Sequence, residues 1–343
     1  LMRFSDVLSQ ALAHPVLGLT VLLVLAVILV NGWTDAPNAI ATVVTTGVLS
    51  FRRAVALAAV CNLLGVCCMT ALGATVAETL YSIADFGGDS RGALSALCAA
   101  LCAIVVWAVL AWRFGVPTSE SHALVAGVTG AALSMPGGLS NVRPEAWARV
   151  LLGLVLSVGL GHWAGGACAR WLEGSRRGSA FFRRGQVAGA AAMAFLHGAQ
   201  DGQKFAGVFL LGCTLAAGGG SAGERFSVPG WLMLLCAAVM ALGTLIGGRR
   251  IVDTVGRGLG GLSPREGFAA DLGGAACLTL CTLLGLPVST THAKTAAILG
   301  VGAAFDRRNS RPVARDILLT WLLTFPGCGL MGFFLSRLFR LAG

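Results

Sequence analysis

Two polar motifs each occur twice in this chain of 343 residues, and the copies follow the same order. The first motif reads NGWTDAPNAIAT around Asp35 and returns as HGAQDGQKFAGV around Asp201. The second reads GVPTSESHALVAG from Gly115 and returns as GLPVSTTHAKTAA from Gly285. The copies are offset by 166 and 170 residues, about half the chain. Two motifs that recur in one order indicate an internal duplication, so the second half should repeat the fold of the first.

Long apolar runs decide the environment of this fold. The chain is 56% hydrophobic and 12% charged, with a mean hydropathy of +0.80, whereas soluble domains carry about 25% charged residues. Apolar runs of this length cross a bilayer as helices. The sequence therefore predicts an all-α polytopic membrane protein whose partner is the lipid bilayer. The main apolar runs are residues 15–30, 54–77, 92–112, 150–169, 230–247 and 316–335.

Each half divides into about five membrane segments, some of them interrupted. The first apolar stretch is broken at residues 31–32 and again at Pro37, and its copy at residues 197–198, which predicts discontinuous helices. Because five crossings are an odd number, the second copy would enter the membrane upside down relative to the first. We expect a first inverted repeat at 1–170, a basic cytoplasmic linker at 171–186 and a second inverted repeat at 187–343. We expect loops at the polar stretches 78–91, 135–145 and 218–228.

The net charge of +10 fits membrane topology better than nucleic-acid binding. Sixteen arginines fall in stretches that this segmentation assigns to one side of the membrane, and seven fall on the other. Basic residues collect in cytoplasmic loops. The bias predicts both termini outside, in a multi-pass protein of a bacterial cytoplasmic membrane, with no nucleic-acid partner.

Asp35 lies inside an apolar stretch, four residues after Asn31 and three before Asn38, so the three side chains share one helical face. The second copy repeats this arrangement around Asp201. A carboxylate inside a membrane is costly and normally faces a cavity, a partner or an ion. Oxygen ligands of this kind suit a hard cation such as sodium or magnesium, and sodium is the candidate ion at Asp35 and Asp201. A structural bond between two helices is the alternative, which the duplication disfavours.

Each copy of the second motif places a proline and hydroxyl residues before an apolar helix, a pattern typical of a helix N-terminal cap. Free N–H groups and the positive dipole end of a helix N-terminus bind anions. Ordinary capping is the alternative, but two copies with a lysine nearby favour an anion site. His122 and His292 either carry protons or hold the hairpins together, and the sequence favours the structural role. The hydroxyl donors are those of Ser119, Ser121, Ser289, Thr290 and Thr291.

The only two lysines of the chain, Lys204 and Lys294, lie inside the duplicated motifs. A lysine inside a membrane protein must be paired or solvated. We expect its partners among a bound anion and the carboxylates of Asp35, Asp201 and Glu120. These three carboxylates and two ammonium groups leave one formal negative charge, so an added anion calls for accompanying cations. The alternative is that Glu120 and Lys294 form a structural bridge.

At these residues the chain resembles the inorganic phosphate transporter (PiT) family. The resemblance rests on the four motifs quoted above, in that order, and with the equivalent spans it covers nearly the whole chain. It implies a homodimeric secondary transporter with inverted repeats, in which the aspartate motifs bind coupling cation and phosphate and the hairpins complete the anion site. It implies no enzyme activity and no cofactor, only sodium or a proton as coupling ion.

Spacing and resemblance together define three sets of candidate residues. The anion-binding candidates are Asn38, Ser119, Ser121, Ser289, Thr290, Thr291, Lys204 and Lys294. The coupling-cation candidates are Asp35, Asp201, Thr34 and Gln200. The supporting candidates are Asn31, Glu120, His122, His197 and His292.

The chain also departs from the family pattern. Thr34 stands where many relatives have histidine, and Gln200 where many have asparagine. Glu120 stands where serine or threonine is usual, and Lys294 where an uncharged residue is usual. These departures concern the coupling ion more than the anion.

Three functions other than phosphate transport are the alternatives. Some bacterial members of the family resemble sulfate permeases, so sulfate is the alternative substrate. A membrane-embedded hydrolase is disfavoured because the polar residues are duplicated, whereas a catalytic triad is normally asymmetric. A channel is disfavoured because a buried carboxylate in each interrupted helix is typical of ion-coupled transport.

Overall fold

The computed structural model describes residues 3–86, 90–114, 118–218, 227–246, 248–258, 261–305 and 311–342. Within these ranges the chain is built from α-helices, and its one β-bridge joins Ala84 to Val142. The first half contains α1 (Phe4–Ala13), α2 (Pro15–Thr34), α3 (Ala36–Thr45), α4 (Phe51–Leu72), α5 (Thr75–Tyr81), α6 (Ser90–Phe114), α7 (Glu120–Leu133) and α8 (Pro144–Glu173). The second half contains α9 (Ser179–Ala216), α10 (Gly230–Ile246), α11 (Arg249–Gly258), α12 (Pro264–Leu283), α13 (Thr290–Ala304) and α14 (Arg311–Ala342).

The helices have the length and composition of membrane spans. In the described ranges five segments are long and apolar enough to cross a bilayer, and α10 is apolar but shorter. The helix α9, at 38 residues, is about 57 Å long at 1.5 Å per residue. The prediction of an all-α, multi-pass membrane protein is confirmed. The five segments are Pro15–Thr45, Phe51–Leu72, Ser90–Phe114, Pro144–Glu173 and Leu322–Leu341.

Of the two interruptions predicted in the first motif, the one at residues 31–32 is wrong and the one at Pro37 lies close to the break that the structure shows. The helix α2 continues through residues 31–32, and the single interruption lies at Asp35, directly before α3. Pro37 lies in the first turn of α3, where its missing N–H costs nothing, whereas it would disrupt a helix interior. Gly32 does not break the helix because it is a packing position. A Cβ atom there would lie 2.5 Å from the Met240 carbonyl oxygen of α10.

The predicted interruption at His197-Gly198 is wrong, because α9 is continuous from Ser179 to Ala216. In the second copy Gln203 occupies the position of Pro37, so every backbone N–H of this turn can join the helix. Gly198 is again a packing glycine, since a Cβ atom there would lie 2.2 Å from the Asn62 carbonyl oxygen of α4. The two copies of the motif therefore differ in backbone as well as in sequence.

Several stretches that read as loops are helical. Helix α5 occupies the start of the predicted loop 78–91, and α11 occupies a basic stretch after α10. In the predicted linker only residues 174–178 are not helical. Short helices with one polar face lack a long apolar run, which is why the sequence did not reveal them. The predictions for Pro117, for most of the glycine-rich loop (219–226) and for residues 306–310 lie outside the described residues.

The two halves of the chain pack against each other reciprocally. Helix α7 packs on α14 while α13 packs on α8, and α4 packs on α9 while α10 packs on α2. A Cβ atom on Gly130 of α7 would lie 2.0 Å from the Gly329 carbonyl oxygen of α14. At the equivalent Gly300 of α13 it would lie 1.9 Å from the His162 carbonyl oxygen of α8. Small residues let helix backbones approach this closely, so each hairpin helix is fixed on the last helix of the other half.

Candidate functional site

The candidate side chains are all buried, and none has more than 6% of its surface exposed. They are carried by α2, α3, α7, α9 and α13, and by the turns that precede α7 and α13. So many buried polar groups in an apolar helical protein require partners or a ligand. The contacts of each group therefore decide what it can do.

The two hairpin helices begin in the same way and meet near their N-termini. Ser119 caps α7 and Ser289 caps α13, and each hydroxyl accepts a hydrogen bond from the backbone N–H three residues later at 3.3 Å. The capping pattern read from the sequence is thus confirmed for both serines. The rings of His122 and His292 lie 4.8 Å apart between their centroids. The two copies of the second motif therefore converge on one place.

Asp35 is bonded to neutral groups of its own helix and of the opposite hairpin. The Asn38 amide donates to Asp35 Oδ1 at 3.0 Å and to the Thr291 hydroxyl at 3.0 Å. The Thr291 hydroxyl in turn donates to Asp35 Oδ1. The other oxygen, Oδ2, has a 3.5 Å contact with the Thr290 hydroxyl, which is too long for a strong hydrogen bond. The first aspartate thus touches α13 and has no lysine among these partners.

Asp201 is bonded to charged and polar groups. Lys204 Nζ donates to Asp201 Oδ1 at 2.7 Å. The Asn31 amide donates to Asp201 Oδ2 at 2.9 Å, and His197 Nε2 lies 3.2 Å from the same oxygen. Lys204 Nζ also donates to the Ser121 hydroxyl of the first hairpin at 2.6 Å. The second aspartate is therefore joined to the first half through both α2 and α7.

These two environments form one buried cluster. Ligand atoms of Asp35, His197 and Asp201 lie within 4.8 Å of one another. Three further buried oxygen atoms of the cluster accept no hydrogen bond in the described part of the chain: Asn31 Oδ1, Asn38 Oδ1 and Glu120 Oε2. Carboxylate, amide and hydroxyl oxygens are the ligands of hard cations. The donor set therefore fits a small cation beside the aspartates.

Glu120 and Lys294 do not form the alternative structural bridge, and the protein partner of Lys294 is not one of the three carboxylates predicted for it. Glu120 Oε1 contacts the Thr34 hydroxyl of α2. Lys294 Nζ instead donates to Asp271 of α12 and, at 3.2 Å, to the Thr42 hydroxyl. The Thr42 hydroxyl donates to the same carboxylate at 2.8 Å. Lys294 is thus held in a separate ion pair whose acid the sequence reading missed.

Asp271 could have been found as the only acid in the apolar segment after residue 267. The repeated motifs indicate only residues that are duplicated, and this ion pair is not duplicated. At the 170-residue offset of the hairpins, Leu101 corresponds to Asp271 and Leu124 to Lys294. Both leucines are buried in the core of the first half.

Gln200, predicted near the coupling cation, contacts the approach to the second hairpin instead. Its amide donates to the Thr282 hydroxyl at 2.9 Å and to the Leu286 carbonyl at 3.2 Å. Its oxygen accepts from the Val288 N–H at 3.4 Å. Gln200 therefore orders the chain that leads into α13. Thr34, the equivalent residue of the first copy, contacts Glu120.

The described chain is a multi-pass membrane protein with one buried, charged centre shared between its two halves. The family model described as "Phosphate transporter family" matches residues 31–177 and 169–332, which include all four motifs. The chain belongs to this family, as its resemblance predicted.

Curated relatives agree with this family. A protein of Rhizobium meliloti named "Probable low-affinity inorganic phosphate transporter" is 37% identical over 334 residues, which cover 94% of this chain and 96% of that protein. Proteins with the same name from two other bacteria are also similar to this chain. The one from Bacillus subtilis is 33% identical over 92% of this chain and 95% of its own length. The one from Mycobacterium tuberculosis is 35% identical over 91% of this chain and 75% of its own length.

A solved structure described as "The sodium-dependent phosphate transporter" has the same fold. Its TM-score is 0.85, with 22% sequence identity, and the match covers 96% of this chain and all of that one. At this level of identity the likeness establishes the fold. It agrees with the helical, membrane-spanning architecture described above.

Proposed function

We propose that this protein imports inorganic phosphate by symport with a small cation, sodium or a proton. One observation carries the proposal: the N-termini of both hairpin helices and both buried aspartates converge on one cluster. The names of the relatives and of the structural neighbour support phosphate and sodium. The family is one of transporters, so the buried histidines and serines serve transport rather than catalysis.

The charge of the cluster is the physical reason for coupling. Asp271 neutralises Lys294, so Lys294 no longer counts toward the site as the sequence reading assumed. The remaining carboxylates of Asp35, Asp201 and Glu120 face one ammonium, that of Lys204, which leaves two formal negative charges. A buried cluster of this charge repels an anion and is itself costly in a membrane. Cations must therefore enter with or before the phosphate.

The hairpins offer the anion both donors and acceptors. The hydroxyls of Ser121, Thr290 and Thr291 can donate or accept hydrogen bonds, and the helix N-termini favour negative charge. Phosphate keeps a proton at neutral pH and sulfate does not. Glu120 Oε2, which has no hydrogen-bond partner among the described residues, can accept a hydrogen bond from the phosphate hydroxyl, and this favours phosphate over sulfate.

The architecture also supports alternating access. The reciprocal packing of α7 on α14 and of α13 on α8 is what two repeats related by a two-fold axis would give, and inverted repeats of this kind rock around a central site. We propose repeats at 1–170 and 187–343 around the basic linker. A homodimer in a bacterial cytoplasmic membrane, with both termini outside, stays a prediction.

Uptake of radiolabelled phosphate into proteoliposomes tests the proposal. We expect accumulation when an inward sodium or proton gradient is imposed, and none when the gradient is collapsed by an ionophore. Unlabelled phosphate should compete fully and sulfate weakly. Equal competition by sulfate would contradict the acceptor argument, and uptake that ignores every cation gradient would contradict symport.

Asp253→Asn is a matched control for aspartate variants. Its side chain is 59% exposed on α11 and its ion pair with Arg249 is long, at 3.9 Å. The variant removes one carboxylate away from the cluster. We expect uptake equal to that of the unchanged protein.

A further inference from the structure

We infer that the Lys204 ammonium is a tethered cation that permanently fills one of two cation positions in the cluster, so that only the Asp35 side takes a mobile cation. This inference rests on the proposed function and deepens it. It differs from the sequence reading, which placed Lys204 among the anion ligands.

The ammonium group of Lys204 is fully engaged by protein oxygens. It donates to Asp201 Oδ1 at 2.7 Å, to the Ser121 hydroxyl at 2.6 Å and to the Val288 carbonyl at 2.6 Å. A lysine ammonium has three N–H donors, so none is left for an anion. A carboxylate, a hydroxyl and a backbone carbonyl are also the oxygens that a bare cation would take.

The duplicate position shows what the motif does without a tethered charge. Asn38 corresponds to Lys204 in the first copy, and its neutral amide binds Asp35. Among the residues that the structure describes, Asp35 Oδ2 therefore has only a 3.5 Å contact, with the Thr290 hydroxyl. Asn38 Oδ1 has no hydrogen-bond partner in the same part of the chain. The first copy offers oxygens to a cation where the second copy already holds one.

Charge predicts how the number of mobile cations responds to each exchange. Replacing Lys204 by the asparagine of the first copy lowers the formal charge of the cluster from minus two to minus three. The variant should therefore recruit one additional cation. The mirror exchange, Asn38→Lys, raises the charge to minus one and should displace the mobile cation.

Sodium counting tests the inference directly. Equilibrium binding of radioactive sodium is measured per protomer on purified wild-type protein and Lys204→Asn, and radiolabelled phosphate binding is measured on the same samples. We expect the variant to bind one more sodium ion than the wild type. Equal counts in the two folded proteins would overturn the inference. Arg53→Asn, which removes an exposed positive charge, should leave the count unchanged.

Outcomes in which a variant does not fold also test the inference. If Lys204→Asn does not fold, Asn38→Lys should bind fewer sodium ions than a wild type that binds one, and an unchanged count would overturn the inference. If neither variant folds, the wild-type count decides: one sodium ion supports the inference, whereas none, or two or more, contradicts it. Failure of the proposed function is distinguished by a different measurement. In that case wild-type proteoliposomes would take up no phosphate under any gradient, whatever the sodium count.

Discussion

The two buried aspartates occupy equivalent positions in a duplicated motif and have unlike surroundings. Asp35 lies at a helix interruption and is bonded to an amide and hydroxyls. Asp201 lies inside an unbroken helix and is bonded to an ammonium, an amide and an imidazole. Three exchanges account for the difference, since Asn31 corresponds to His197, Pro37 to Gln203 and Asn38 to Lys204.

This difference teaches that duplication fixes where charge is buried but not how it is compensated. The copy with the lysine is neutralised within the protein and its backbone is regular. In the proposed mechanism the copy without it takes a cation instead, and its helix is interrupted at the aspartate itself. We therefore expect the two copies to fail in different ways when they are altered.

The largest effect should come from exchanging each aspartate for asparagine. Asp35→Asn should fold and lose cation-dependent phosphate uptake to the level of empty liposomes, because the mobile cation loses its carboxylate. Asp201→Asn leaves Lys204 buried without its acid, and breaking a buried ion pair typically costs about 3–5 kcal/mol. Phosphate uptake measures the loss of transport, and thermal melting in detergent measures the loss of stability. Equal melting temperatures for the two variants would contradict the difference between the copies.

The next largest effect concerns the ion pair that only the second half has. Lys294→Leu should lower the free energy of unfolding by about 3–5 kcal/mol, because Asp271 is left as an unpaired buried charge. Replacing both residues by leucine copies Leu124 and Leu101 of the first half and should restore most of that stability.

Melting temperatures of the single and double variants form a double-mutant cycle for this pair. A double variant as unstable as the single one would refute the compensation. If the stable double variant lost only phosphate binding, the pair would serve the anion site as the sequence reading proposed.

The packing glycines test the reciprocal contacts between the halves. Gly130→Ala and Gly300→Ala should each cost about 1–3 kcal/mol, because the added methyl group meets a backbone carbonyl that cannot move freely. Gly302→Ala, in the same helix as Gly300, is the matched control, because a Cβ atom there would meet nothing within 4 Å. Thermal melting should show similar losses for the first two and none for the third. Unchanged stability of either packing variant would argue against that contact.

The smallest effect should come from the hairpin caps, where the copies are alike. Ser119→Ala and Ser289→Ala each remove a 3.3 Å cap bond and should each cost about 0.5–2 kcal/mol. Threonine at either position retains the hydroxyl and should restore the stability. A much larger loss at one cap than at the other would show that the hairpins are not equivalent.

The sequence predicted which polar residues are buried better than it predicted the shape of the backbone that carries them. Buried polar residues such as Asp35 and Ser289 were recognisable because each repeats inside an apolar stretch. The helix interruptions were misplaced because Gly32 and Gly198 were read as breaks, whereas they are contact points with α10 and α4. A glycine in a helical pattern does not reveal from sequence alone whether it bends the chain or admits a neighbour.

Pairing was the other part that sequence could not supply. The partner of Lys294 lies 23 residues away on another helix, and three acids within the motifs were equally plausible by spacing. Gln200 looked like a cation ligand because it precedes Asp201, yet its amide orders the second hairpin. The packing of α9 against α12 decides which side chains of α9 face the second hairpin, and the sequence alone does not show this packing.

Density for ions at the two aspartates tests the central claim most directly. High-resolution cryo-electron microscopy of the protein in sodium phosphate, compared with choline phosphate, would show which carboxylate holds the mobile cation. We predict sodium-dependent density beside Asp35, with Lys204 Nζ bonded to Asp201 in both conditions. Sodium-dependent density at Asp201, with the Lys204 ammonium withdrawn from that carboxylate, would contradict the account.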